Sequence, residues 1–164
     1  MFFDWLVQLV TAFTGSVGFA VVFNVQACRL FWAGLGGLLG WAVYLAFGLV
    51  TESDVVRFFV ASACFTFYAD PMARLKKTPI TVFLVPAAIP MVPGASLYRS
   101  MSFAVNGEWS AFAPQILYTL LLASAIAAGI VCAMTFAHIG RRIGRELMRF
   151  LPGKQTKRNC NHTK

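Results

Sequence analysis

The run Pro86-Ala-Ala-Ile-Pro90-Met-Val-Pro93-Gly94 lies inside a stretch apolar enough, at about 25 residues, to sit in a bilayer. Three prolines and a glycine cannot sustain one unbroken helix there, because each proline removes a backbone donor and clashes with the preceding turn. In hydrocarbon the freed carbonyls need partners, so broken backbone survives only inside protein or along a wet cavity. Transporters build substrate sites from such discontinuous helices near the midplane. A break at Pro93-Gly94 starts a second half-helix near Ala95, whose unpaired amides and positive dipole end suit a carboxylate. Ser96 and Tyr98 add hydroxyls in its first turns, and Arg99 can grip a carboxylate through two nitrogens. Pro90, Pro93, Gly94, Ser96, Tyr98 and Arg99 are therefore the candidate substrate-binding residues. Arg99 lies roughly 9 Å from the end of its span at a rise of about 1.5 Å per residue. It either binds substrate or snorkels to the interface.

Two further polar residues stand at membrane edges as gating or coupling candidates. Asp70 precedes Pro71 at the start of a basic connection, where it either relays a proton or caps the turn that follows. Asn24 ends the first span, as a helix cap or a gating amide. No Asp or Glu lies deep inside any span, although a proton-coupled carrier ordinarily needs one. A partner would have to supply it. Enzyme chemistry is not expected: Ser96 and His138 fall at opposite membrane levels, and no GxSxG elbow occurs. Two distant histidines without acidic neighbours make no metal site, and no cofactor is implied.

The elements that must position these residues are set by composition. The chain of 164 residues is 59% hydrophobic and 12% charged, where a soluble domain carries roughly a quarter charged residues. Residues 2–23, 30–50, 80–105 and 112–137 are long and nearly charge-free, and 55–69 is a shorter fifth candidate beside Arg57. The expected fold is all-α: a polytopic membrane bundle of about five transmembrane helices (residues 1–139), one of them broken. A short amphipathic helix (140–152) at the cytoplasmic face and a basic disordered tail (153–164) should follow. The first span has no basic leader and carries Asp4, so it reads as a retained helix and not a signal peptide.

Charge placement gives an orientation. Of 14 Lys and Arg, eight fall between Arg141 and Lys164, Arg74, Lys76 and Lys77 share the third connection, and Arg29 lies in the first. The second and fourth connections carry Glu52, Asp54 and Glu108 instead. Basic loops collect on the cytoplasmic side. The N-terminus is then outside and the C-terminus inside. The net charge of +8 is thereby a topology and anionic-lipid signal, and the tail lacks the interleaved aromatics that nucleic acid would need.

Small residues mark helix contacts. Gly34, Gly36, Gly37 and Gly40 in the second span form a GxxxG face, either for a partner or for packing within the subunit. Gly15, Ser16 and Gly18 in the first span form a similar patch, and the two helices are expected to pack together. Cys64 and Cys132 read as small apolar fillers, with Cys28 and Cys160 on the cytoplasmic side.

The segment Lys77-Thr78-Pro79 … Phe83-Leu-Val-Pro86 … Ile89-Pro90-Met-Val-Pro93-Gly94-Ala-Ser-Leu-Tyr98 resembles the signature of the threonine/serine exporter family. The stretch from Gly18 to Val25 and that from Gly34 to Trp41 are similar to its first two helices. In length the chain looks like the small five-span subunit of the split form, in which a larger subunit supplies the other half and a soluble region that is lacking here. The resemblance implies a bacterial inner-membrane exporter of small amino acids or small dicarboxylates, driven by the proton gradient and working with that larger subunit. The alternatives are a scaffold subunit contributing no binding group and a self-sufficient homo-oligomeric carrier.

Overall fold

The computed structural model describes the backbone of residues 2–150 and the side chains of residues 3–143. Among these residues every element is helical: α1 (Phe2–Val22), α2 (Ala27–Phe47), α3 (Asp54–Leu75), α4 (Thr81–Ala88), α5 (Gly94–Val105) and α6 (Trp109–Phe150), with a 3-10 turn at Ile89–Met91. Three of the helices stop in the same way. Asn24 (φ 55°), Lys77 (φ 52°) and Gly107 (φ 75°) each adopt the left-handed conformation just past a helix. The next amide then reaches back, Val25 N–H to the Ala20 carbonyl at 3.0 Å, Thr78 to Ala73 at 2.9 Å and Glu108 to Phe103 at 2.9 Å. This Schellman arrangement satisfies carbonyls that a helix end leaves open. Asn24 thus caps α1, and Val25 folds onto the apolar cluster of Ala20, Ala33 and Phe83.

α1, α2 and α6 are long and apolar enough to cross a membrane, and α4 with α5 qualifies as a bent pair, deflected by 54°. A deflection of 54° does not turn the chain back on itself. α3 has the length, at 22 residues, but carries Asp54, Arg57, Asp70 and Arg74 near its ends. Its position explains its composition: it packs against α2 on one side and most extensively against α6 on the other. A helix walled by protein needs less apolar surface than one walled by lipid. Its buried hydroxyls are satisfied within the helix, Ser62 donating to the Phe59 carbonyl at 2.8 Å and Thr66 to the Ser62 carbonyl at 2.7 Å.

The contacts run α1–α2–α3–α6–α5, and α4 lies across α1, α2 and α3. Glycines set the closest approaches. A Cβ on Gly37 would lie 1.9 Å from Ser16 Oγ, and one on Gly34 2.5 Å from Val17 Cγ2, both on α1. On Gly36 it would meet Ala87 Cβ of α4 at 3.1 Å, and on Gly40 Phe65 of α3 at 3.1 Å. The α2 glycines therefore serve packing inside the subunit, spread over three neighbours. The α1 glycines do not: nothing lies within 4 Å of a Cβ at Gly15 or Gly18, and α1 meets α2 through Phe13, Ser16 and Val17.

Two sequence expectations are corrected. The third connection does not begin at Asp70; α3 runs on through Pro71 to Leu75, so Asp70 caps no following turn. Buried Ala69 and Ala73 and the ion pairs of Asp70 hold the helix past the proline. Cys64 and Cys132 sit on exposed faces and fill no core. α6 continues through Gly140 and Gly144 as far as Phe150. The tail and Cys160 lie outside the described residues.

The glycine contacts yield a contrast. A Cβ on Gly129 would meet Ser62 Oγ at 2.0 Å and the Phe59 carbonyl oxygen at 2.5 Å, and a backbone atom cannot swing aside. Gly129→Ala is expected to cost about 1–3 kcal/mol through overpacking. Gly15→Ala, in open space, should be neutral or stabilise by about 0.5–1 kcal/mol. Thermal unfolding in detergent compares the two.

Candidate functional site

The break between α4 and α5 follows from proline chemistry step by step. Pro90 offers no N–H to the Pro86 carbonyl, and Pro93 none to that of Ile89. The Ile89 carbonyl recovers a partner by tightening to the Val92 N–H at 3.1 Å. Val92 is extended (φ −61°, ψ 125°), as a residue before proline prefers to be. Pro93 (φ −75°, ψ 57°) then forms an inverse γ-turn closed by the Gly94 N–H on the Val92 carbonyl at 2.7 Å. Met91 is fully buried, its Cε 3.4 Å from where a Cβ on Gly40 would stand.

On the other side of the turn, Ile89 and Pro90 close a cleft of about 240 Å³ with Gln8, Thr11, Ala12 and Gly15 of α1 and Trp41 of α2. The Trp41 indole N–H donates to Gln8 Oε1 at 3.3 Å, tying α1 to α2 beside the break. The Thr11 hydroxyl donates backwards, to the Val7 or Gln8 carbonyl at 3.0 or 2.9 Å. Ser16, on α1 against Gly37 of α2, is fully buried, and its hydroxyl is the one fully buried side-chain polar atom without a partner among the described residues.

The sequence-predicted residues do not converge here. Pro90 lines the cleft, Pro93 forms the turn and Gly94 is exposed with open space about it. α5 then leans on α6, away from α1. Ser96 is half-buried and lends its carbonyl to Ser100 Oγ at 2.9 Å. Tyr98 is 75% exposed, and Arg99 is exposed. Buried Ser100, absent from the candidate list, meets Thr119 Oγ1 of α6 at 3.3 Å. Asn24 and Asp70 lie toward the basic end of the bundle and do not line the cleft.

Sequence reasoning also missed Gln8, Thr11 and Trp41. Gln8 is the one amide side chain in α1, and residues 8, 11 and 15 share a helix face. That pattern was the available signal.

Two polar contacts clamp α3 to α6. At one end Tyr118 donates to Asp54 Oδ2 at 2.6 Å, and Asp54 Oδ1 takes Arg57 Nη1 at 3.2 Å. Arg57 Nε and Nη2 also reach the Thr51 and Gly48 carbonyls at 2.6 and 3.3 Å, closing the end of α2. At the other end Asp70 pairs with Arg141 of α6 and, at 3.2 Å, with Arg74 one turn along α3. Asp70 is 17% exposed and Arg141 30%, whereas Arg74 is 57% exposed. The shielded pair should matter more. Asp70→Ala is expected to lower stability by about 1–3 kcal/mol and Arg74→Ala by under about 1 kcal/mol. The exchange Asp70→Arg with Arg141→Asp should recover much of the loss in a double-mutant cycle.

The comparisons with known proteins follow this geometry. No solved structure matches the chain. The family model described as Threonine/Serine exporter, ThrE, matches residues 8–136, which run from the amide of the cleft through the broken pair and most of α6. Apolar helices of spanning length, a proline-built break seated among them and this match over most of the chain agree. The chain is a membrane protein belonging to the threonine/serine exporter family.

Proposed function

We propose that the chain is the small subunit of a two-component secondary exporter for threonine, serine or small dicarboxylates, working with a larger subunit and driven by the proton gradient. The observation that carries this reading is the break at Pro90–Gly94, held against the α2 glycines beside a cleft of uncharged polar groups. Transporters place solutes at such interruptions. A partner is favoured on two counts. No carboxylate lines the cleft, so a proton-coupling acid must come from elsewhere. The outward face of α5 leaves Leu97, Tyr98, Met101 and Val105 exposed, an apolar surface with room for another helix. Basic loops at one end and acidic loops at the other favour the N-terminus outside and the C-terminus in the cytoplasm of a bacterial inner membrane.

Arg99 immediately precedes Ser100, whose partner Thr119 neighbours Tyr118 and the Asp54 contact at the helix ends. That level suits a guanidinium reaching the acidic-side interface, where it meets solute or partner at the mouth of the path. Its distance from the cleft favours a second reading for α5, a surface for assembly.

The test is efflux of labelled threonine, serine and succinate from cells expressing this chain, with and without the larger subunit. Export requiring both chains is expected. Pro90→Ala with Pro93→Ala, which restores two helix donors, should reduce export at least tenfold while the complex still assembles. Unchanged export in that variant assigns the chain to the scaffold role, and export by this chain alone assigns it to a homo-oligomeric carrier.

A further inference from the structure

We infer that the cleft between α1, α2 and the broken pair is the subsite for a neutral, hydroxyl-bearing end of the solute, with Gln8 as its specificity-determining residue. The inference rests on the exporter reading above and narrows its substrate class. Every residue lining the cleft is uncharged: Gln8, Thr11, Trp41 and Pro90 among apolar neighbours. An ammonium or carboxylate taken into it would lose its hydration without gaining a counter-charge. The charged end of an amino acid therefore stays outside the cleft, and a dicarboxylate has no neutral end to offer.

What the cleft does offer has a fixed sense. An indole N–H can only donate, so the Trp41 contact sets the Gln8 amide with its oxygen toward the ring. The two amino N–H donors of Gln8 are thereby turned from Trp41 and left for another acceptor. The Thr11 proton is committed to its own helix, so its oxygen can only accept. One turn apart on the same face of α1, the two side chains present a donor and an acceptor. A hydroxyl, which both accepts and donates, matches that pair. A methyl group does not. The volume of about 240 Å³ corresponds to the liquid share of roughly eight waters, at about 30 Å³ each, which matches the size of a small solute.

A site built to hydrogen-bond a hydroxyl discriminates against the analogue lacking it, whereas an apolar pocket barely separates them. The experiment uses the assembled two-subunit exporter in proteoliposomes and measures transport of threonine, its hydroxyl-free analogue 2-aminobutyrate, and succinate. Wild type should favour threonine over 2-aminobutyrate by at least tenfold. Gln8→Leu, which keeps bulk and removes the donors, should bring that ratio close to one. Trp41→Phe, which only releases the amide, should lower it part of the way. A general loss of rate in Gln8→Leu with the ratio unchanged makes Gln8 a packing residue and overturns the inference. Wild-type preference for succinate overturns it too, while leaving an exporter. Transport of none of the three overturns both readings.

Discussion

In hydrocarbon a backbone N–H or C=O without a partner has no water to turn to, and that one constraint arranges the rest of this protein. Interrupting a helix is tolerable only where neighbours enclose the interruption. The turn at Ile89–Met91 meets this demand by lying on α2, whose Gly36, Gly37 and Gly40 let α4, Ser16 and Met91 come close. Without those glycines the break would stand off from the bundle and expose its carbonyls. The same rule governs the hydroxyls of Ser62, Thr66, Ser100 and Thr119, each bonded to a carbonyl of its own helix. Ser16 is the exception: its hydroxyl lies against Gly37 with no partner, next to the proline that opens the chain.

α3 stands at the centre of the remaining architecture. Flanked by α2 and α6, it carries charge at its ends and aromatic bulk between them, with Phe58 and Phe65 in the main apolar cluster. The broken pair divides between two environments. α4 belongs to the α1–α2–α3 group and α5 to α6, so the 54° bend joins two parts of the bundle. Val92–Gly94 is the link between those parts, and the one backbone bond within it is that of the Gly94 N–H to the Val92 carbonyl at 2.7 Å.

The break, the long apolar helices and the capping role of Asn24 were legible in the chain because each is written locally, in proline, hydropathy or a helix-end amide. The length of α3 was not. Asp70-Pro71 reads as a stop signal, whereas the helix runs on with Ala69 and Ala73 buried and Asp70 paired to Arg74 and to Arg141, seventy-one residues further along. The candidate cleft was half legible: Pro90 lines it and Pro93 forms the turn beside it, while Ser96, Tyr98 and Arg99 ride on α5, which the bend carries toward α6. Gln8 and Trp41 are thirty-three residues apart, and nothing local announces that they meet. Spacing along one helix reveals a face; it does not reveal which neighbour covers that face.

The two clamps between α3 and α6 have a further consequence. Between the two clamps lie about 24 Å of α3, from Asp54 to Asp70, and about 35 Å of α6, from Tyr118 to Arg141, at 1.5 Å per residue, on either side of the roughly 30 Å hydrocarbon thickness of a bilayer. Polar ties at both levels prevent the two helices from sliding past one another. A thinner or thicker membrane must then be met by tilting the pair as a unit or by deforming the lipid around it. The bundle carries its own gauge of membrane thickness, fastened at Asp54 and at Asp70.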